Sequence, residues 1–512
     1  MAETHDSVGF PAHKRRDPRL QDRMVELATQ TTHPEGEPHV LVRQDEAFLL
    51  RGGTRMLRET QPQITLWDAA LPPELTQLSP ELARVDKILD DDRFLAPYRR
   101  RFCKRIGRPT IPLDTFLRLM YLKFRYGLGY ETLVREVSDS VMWRRFCRIP
   151  LNQLPPHPTT LIKLVKRCGP ETLRELNELL VQKAREEKLI RGRKLRVDTT
   201  VVQANIRYPT DAGLLADGIK LVTRVVKRIQ ASGVAATVRF RNSTRAAKKR
   251  LLEIAKVLRR RTGDARAEVD QVTAKMVVIG RRVARQAGKV LSQAKAELSQ
   301  AGVQCAAGVE RLVDRLERGV ALLGRAVAQA KQVVAGNRHI ADRLVSVFDP
   351  DARPIRRGRL KDPTEFGYKV VLQEVENGIV SGYEVAQGNP PDEKLLPAAV
   401  KRHEGQFGKP PKELATDRGF SNRRQERELE ERGIEHVCIP YRGNKSAARK
   451  VFERQAWFRR LARWRAGCEG RISLLKRKFG LDRSRSRGRA GAETWVGWAI
   501  LAHNLSKVAA LT

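Results

Sequence analysis

Apolar positions change their spacing several times along the chain. From Ser79 onward they recur at helical intervals, and Phe116, Leu117, Leu119, Met120 and Leu122, after Pro112-Leu113-Asp114, fit a buried helix better than a strand. Gly127-Leu128-Gly129 breaks that run, and Tyr130 to Val137 predicts another short helix. Thr159 or Thr160 can N-cap the segment LIKLVKRC, which Gly169-Pro170-Glu171 separates from a long helix ending near Lys188. Residues 1–79 mix Pro, Gly, His and charge without a sustained period, and read as an arm with little autonomous fold.

At Lys194 the pattern becomes β-like. LRVDTTVV predicts a strand carrying one acid, Asp198. After YPTDAGLL (208–215) helical spacing returns for over a hundred residues, with Val313, Leu316, Val320, Leu323 and Val327 forming a heptad-like seam. A helical hairpin or coiled coil is expected there, inserted into something else, because strand patterning resumes with RLVSVFD, EFGYKVVLQEV and GIVSGYEVAQGN. Glu376-Asn377-Gly378 between the last two is a hairpin signal. Pro390-Pro391-Asp392-Glu393 opens a helix, ELATD is a strand ending in Asp417, a charged helix runs to about Arg432, HVCIP (436–440) is a strand, and a later helix carries Glu469. The fold class is α/β with a mixed sheet, interrupted by a long all-helical insertion and preceded by an all-helical region. The expected divisions are 1–79, 80–189, 190–212, 213–340 and 341–512.

Composition narrows the partners. The chain has 512 residues, 99 Lys+Arg against 59 Asp+Glu, a formal charge of +40 and 41% hydrophobic residues. That apolar content excludes wholesale disorder, and so large a positive excess suits a polyanion, nucleic acid first. No uncharged apolar run of the ~18 residues needed to span a bilayer exists, since Trp495 to Leu511 is interrupted by His503, Asn504 and Lys507. Six scattered cysteines without a Cys-x-x-Cys pair make neither a disulfide framework nor a zinc site, and the first residues lack the apolar stretch of a signal peptide. A reducing, cytoplasmic setting is therefore expected. Short helices, tight turns and Arg99, Arg100, Arg101, Arg105, Arg144 and Arg145 resemble a helix-turn-helix class of DNA binder; a helical packing region with a solvated basic face reads the same way. Between Leu221 and Arg260 there are twelve Lys+Arg and one acid, Glu253. No Walker loop or dinucleotide fingerprint is present, so no nucleotide cofactor is expected.

Acids at strand ends carry the candidate chemistry. Adjacent parallel strands would bring Asp198 and Asp417 to one edge of a sheet, where α/β ligand sites form. Converging carboxylates repel unless cations neutralise them, and hard oxygen ligands suit Mg²⁺ or Mn²⁺. Alone, each acid is equally an N-cap, a turn former or a surface charge.

The order VDTT, TDRGF and then Arg465, Glu469 and Lys476 resembles the insertion-sequence DDE transposases with an RNase H-like catalytic core and a Tyr-Arg-Glu-Lys signature; the tyrosine place holds Ala462. EFGYKVVLQEVENGIVSGYEV and NPPDEKLL are similar to the family too, and the likeness covers roughly residues 80–215 and 340–510. It implies that Asp198, Asp417 and Glu469 bind two Mg²⁺ ions, with Mn²⁺ substituting, to cut DNA at the element's terminal inverted repeats and join 3′ ends to target DNA. It further implies a homo-oligomer, a dimer on the ends. Arg465 and Lys476, four before and seven after Glu469, share one helical face and suit backbone phosphates. Glu453 and Glu493 are nearby acids without the Arg and Lys partners at those spacings. His403 and His436 make no metal spacing, Trp457, Trp464, Trp495 and Trp498 suit packing better than base stacking, and Arg442-Gly443-Asn444 fits a turn. The rival readings are a metal-dependent nuclease of the same fold that cuts without joining, and a transposase-derived DNA-binding protein without chemistry.

Overall fold

The computed structural model describes residues 55–58, 72–102, 108–260, 264–300, 307–357 and 363–512. The arm expected over residues 1–79 falls mostly outside the described residues, as does Arg105.

The sheet is built around Lys194–Gln203 (β1), whose β-branched run is buried on both faces from Leu195 to Val202. Arg353–Arg356 (β2), Thr364–Glu374 (β3), Val380–Val385 (β4), Glu413–Thr416 (β5) and His436–Cys438 (β6) complete it. β1 pairs antiparallel with β3 and parallel with β5, and β6 adds parallel to β5. β2 and β4 both pair antiparallel with β3, β2 along Thr364–Gly367 and β4 along Val370–Glu374. The sheet is thus mixed, as its sequence pattern requires. At the β3–β4 hairpin Asn377 and Gly378 have φ of 57° and 77°. The Glu376 carboxylate there accepts the N–H groups of Gly192, Arg193 and Lys194 at 3.0, 2.6 and 3.0 Å, which anchors the start of β1.

RLVSVFD, strand-like in its alternation, forms no strand. Its alternating side chains serve two different cores: Val345 packs with the sheet, Leu344 and Val347 with the helical insertion.

Among the described residues, seven helices come before the sheet: Pro73–Thr76 (α1), Pro80–Leu89 (α2), Ala96–Arg99 (α3), Leu113–Arg125 (α4), Tyr130–Asp139 (α5), Val141–Phe146 (α6) and Pro158–Glu186 (α7). The N-cap of α7 is His157, not Thr159 or Thr160; its ring accepts from the Thr159 N–H, and Pro158 fits the first helical position because it has no N–H to satisfy. Gly169, with φ 69°, breaks α7 where the sequence places a separator. Several of the arginines that suggested a DNA-reading face have partners within the chain. Arg99, Arg100 and Arg101 pair with Asp92, Glu175 and Glu171 at 3.2, 2.6 and 3.6 Å. Arg144 is buried and donates to the carbonyls of Ser138, Pro150 and Gln153, while Arg145 donates to Thr76 Oγ1.

Between β1 and β2 lie Asp211–Ala231 (α8), Thr244–Arg260 (α9), Ala265–Gln300 (α10) and Ala307–Val334 (α11). The expected hairpin is in fact an assembly of four helices. On the seam of α11, Val313, Leu316 and Leu323 are buried, and Val320 and Val327 pack beside them. The base of the insertion is closed by its own residues: Asp211 pairs with Arg343 at 2.7 Å and accepts from Gln329, which exchanges hydrogen bonds with the backbone of Leu344.

After β4 the chain continues through Leu396–Phe407 (α12), Arg423–Glu431 (α13), Ala447–Arg454 (α14), Ala456–Lys478 (α15) and Gly488–Leu511 (α16). One core runs from the seven leading helices through the sheet to α16; the insertion has its own. Trp498 and Trp495 of α16 meet Phe116 and Phe124 of α4 with ring centroids 5.7 and 4.9 Å apart. His403 is buried and bonds the carbonyl of Gly192, a packing role. Among the described residues no helix is long and apolar enough to cross a membrane.

Because the insertion's core and its closing bonds are self-contained, residues 205–348 expressed alone should show helical circular dichroism and a cooperative thermal transition; a non-cooperative melt would contradict a separate core. A second expectation concerns Glu374, 1% exposed, which pairs with Arg196 at 2.5 Å and Arg471 at 3.3 Å. Glu374→Gln should lower stability by ~3–5 kcal/mol in denaturant titration, since it strands buried guanidinium charge.

Candidate active site

Strand register sets the first two acids side by side. Arg196 lies opposite Ala415 and Val197 opposite Thr416, so Asp198 and Asp417 follow at equivalent places on β1 and β5. Asp198 is 6% exposed, and its carboxylate accepts the Thr199 N–H at 2.7 Å. Burial pushes its pKa up to about 6, helped by the negative charge of Asp417 and opposed by Arg465 and Arg357. Asp417 ends its strand and caps the turn that follows, accepting the Gly419 N–H at 2.9 Å. A Cβ on Gly419 would stand 3.0 Å from carboxylate oxygens of both Asp417 and Asp392. Asp392, held by Lys369 at 3.0 Å, is therefore a further acid beside Asp417. The phrase NPPDEKLL contains it, but nothing local announces its position.

Helix α15 lies along the same face of β1. Arg196 stacks on Trp464, with the guanidinium 4.9 Å from the ring centroid, and donates to the Trp464 carbonyl. The approach needs Gly467, where a Cβ would come 2.9 Å from an Arg196 nitrogen. Buried Cys468 packs beneath, its thiol pushed well up by burial and by Asp198 and Glu374. One turn along, Arg465 Nη2 stands 3.5 Å from Asp198 and 3.3 Å from Glu469. Glu469 is 70% exposed at its side chain and meets Asp198 only through that arginine. Among the described residues no three His, Cys, Asp or Glu side chains are grouped to hold a metal ion. The structure thus pairs Asp198 with Asp417, and places the Arg465 cation between Asp198 and Glu469.

Lys476, farther along α15, is 3.9 Å from Glu365 of β3. Arg357 also pairs with Glu365, at 3.2 Å, and donates to Thr200, which shares a strand face with Asp198. Arg357 and Glu365 extend the site and went unread in the sequence, because an Arg in RPIRRGR looks like any other in so basic a chain. The nearby acids are engaged elsewhere: Glu453 with Lys445 at 2.6 Å and Arg449 at 3.0 Å, and Glu493 with Arg174. Ala462 packs beside the small cluster of Ala415, Cys438, Phe458 and Leu461.

The carboxylate oxygens of Asp198 and Asp417 form a hard donor set, which fits a divalent cation. The raised pKa of Asp198 has a consequence for stability. The folded state holds this proton more tightly than the unfolded chain, so stability falls as pH rises from about 3.8 to about 6 and stays lower above. In chelator, Asp198→Asn should therefore melt higher than the parent at pH 7, by ~1–3 kcal/mol, with the gap closing below about pH 4. A gap independent of pH would contradict the assignment.

Comparison with known proteins places this geometry. Residues 71–167 match the family described as "Transposase domain (DUF772)", and residues 345–505 match "Transposase DDE domain". Asp417, Arg465, Glu469 and Lys476 lie inside the second match; Asp198 lies between the two. A DDE domain implies an RNase H-like core, in keeping with the mixed sheet, and that family generally uses divalent metal ions. An "Uncharacterized protein ORF8 in nfe locus" of Rhizobium meliloti is 30% identical over 132 residues, 25% of this chain and 64% of that protein's length. No solved structure matches. With a transposase match on either side of the helical insertion, the chain belongs to the insertion-sequence DDE transposases.

Proposed function

We propose that the chain binds the terminal inverted repeats of its element, cleaves DNA there and joins the freed 3′ ends to target DNA. The observation that carries this reading is the parallel register that sets Asp198 and Asp417 side by side, with α15 laid against them. Asp198, Asp417 and Glu469 are the residues proposed to hold two Mg²⁺ ions, with Mn²⁺ able to substitute. Such ions, when bound, activate a water or hydroxyl nucleophile and stabilise the leaving oxygen.

The protein's own groups prepare the substrate. Arg465 bridges Asp198 and Glu469, 3.5 and 3.3 Å away, and its planar fork is suited to exchange one of those carboxylates for a DNA phosphate. Freed of Arg465, Glu469 can turn from solvent toward the two aspartates. Lys476 and Arg357, gathered about Glu365, extend the positive lining along the strand. Two copies, one per element end, constitute the proposed working dimer, acting in the cytoplasm at the nucleoid.

Asp198→Asn, Asp417→Asn and Glu469→Gln in the full chain should each reduce cleavage and joining of a labelled element end by roughly 10³-fold or more, with doubles no worse than singles, as for residues acting as a unit. Affinity for the end should persist. Glu453→Gln should remain active. Cleavage without any joined product would favour the nuclease reading, and an active Glu469→Gln would exclude Glu469 as the third acid.

A further inference from the structure

A cavity of about 360 Å³ opens between α2, α4, α15 and the C-terminal half of α16. Its lining includes Arg84, Arg125, Arg471, Lys478, Lys507 and a single acid, Glu81. Glu81 is taken by Arg125, at 2.6 Å, and Arg471 is paired with the buried Glu374 at 3.3 Å while also donating to His503. Among the described residues Arg84 has only a carbonyl, that of Ala509, at 3.0 Å. Among the described residues Lys478 and Lys507 have no acidic partner within ion-pair distance. Three positive charges therefore face one groove without a counter-charge.

Helix-end electrostatics explain only part of this. A cation in the last turn of a helix is favourable by itself, which accounts for Lys478 at the end of α15. It does not account for Arg84 and Lys507 converging on the same groove from two other helices. Leu474, Phe479 and Ala509 give the same lining an apolar surface. Cations beside an apolar surface match a sugar-phosphate backbone, with phosphates at the cations and deoxyribose against that surface.

The groove is separate from the carboxylate site. Arg465, Glu469 and Lys476 share one face of α15, whereas Arg471, Leu474 and Lys478 lie half a turn around, on the opposite face. We propose that this groove binds the phosphate backbone of DNA at a distance from the carboxylates, so that one helix serves two DNA contacts. The proposal rests on the DNA-transposing function above and adds a contact to it.

The test is the salt dependence of duplex binding by the full chain, measured by fluorescence anisotropy. Lys478 is exposed and Lys507 partly so, and neither makes an ion pair, so Lys478→Gln/Lys507→Gln should fold; its melting temperature checks this. Loss of two phosphate contacts should make the slope of log K against log salt shallower by ~1.8. Affinity at low salt should fall on the order of tenfold, and Lys478→Arg/Lys507→Arg should keep the parent slope. An unchanged slope in a folded Gln variant overturns the groove assignment while leaving the wider reading intact. Failure of the parent chain to bind any duplex overturns both. Inorganic tripolyphosphate is the other source of the same chemistry: if it raises the parent's melting temperature but not the Gln variant's, and the DNA slope does not change, the groove takes free polyphosphate and the DNA proposal is wrong.

Discussion

The buried carboxylate of Glu374 fixes the geometry on which the candidate site depends. It stands on β3 with a single oxygen facing both Arg196 of β1 and Arg471 of α15. Each arginine reaches further: Arg196 to the backbone and ring of Trp464, Arg471 to His503, which bonds Asn504, which in turn bonds Asn177 of α7 and the carbonyl of Val380. Sheet, α15, α16 and α7 are thereby locked through polar groups rather than by apolar contact alone. Apolar packing tolerates sliding of a helix over a sheet, but a chain of directional bonds does not. Arg196 and Asp198 are two residues apart on one strand face, so fixing the arginine fixes the acid, and anchoring Arg471 fixes the helix that carries Glu469.

The same network shows why the site was only partly legible from the sequence. VDTT and TDRGF are local signals: an acid within or just after a short β-branched strand, followed by a turn, and their meeting needed only that the two strands lie parallel. Arg196 and Glu374 carry no such signal. They are 178 positions apart, one is an arginine in an arginine-rich chain and the other closes an ordinary strand, and only the fold brings them together. Arg99, Arg100, Arg101 and Arg144 show a second limit. A count of cations does not tell which of them meet acids or carbonyls of the same chain, and the fold supplies those partners. RLVSVFD misleads because alternation reports two-sided burial, which a segment running between two cores has without any sheet.

The helical insertion enters after β1 and leaves before β2, within the 219 positions that separate Asp198 from Asp417, yet the two acids remain adjacent. This is possible because the insertion closes on itself. Asp211, Gln329, Arg343 and Leu344 bond across its base, so the sheet sees the two connecting segments and not the four helices beyond them. Strand pairing between β1 and β3 over eight residue pairs then needs no help from the intervening segment. The seven leading helices are in the opposite situation. They share their core with α16, where Trp498 and Trp495 pack against Phe116 and Phe124 of α4.

Helix α15 bears the sharpest conflict in the molecule. It must lie close enough to β1 to set Arg465 against Asp198, and it carries many cations of its own, from Arg459 to Lys478. Placing so many like charges on one helix is unfavourable unless each finds an acid, a ring or a polyanion. Several do: Asp198, Glu469 and Glu365 receive Arg465 and Lys476 on one face, and Glu374 receives Arg471 on the other. Toward the groove Lys478 does not, and is left with Arg84 and Lys507 as neighbours. A helix neutralised at some of its cations and uncompensated at others is stable as a folded element because the first hold it, and remains strongly attractive to an anion because the second do not.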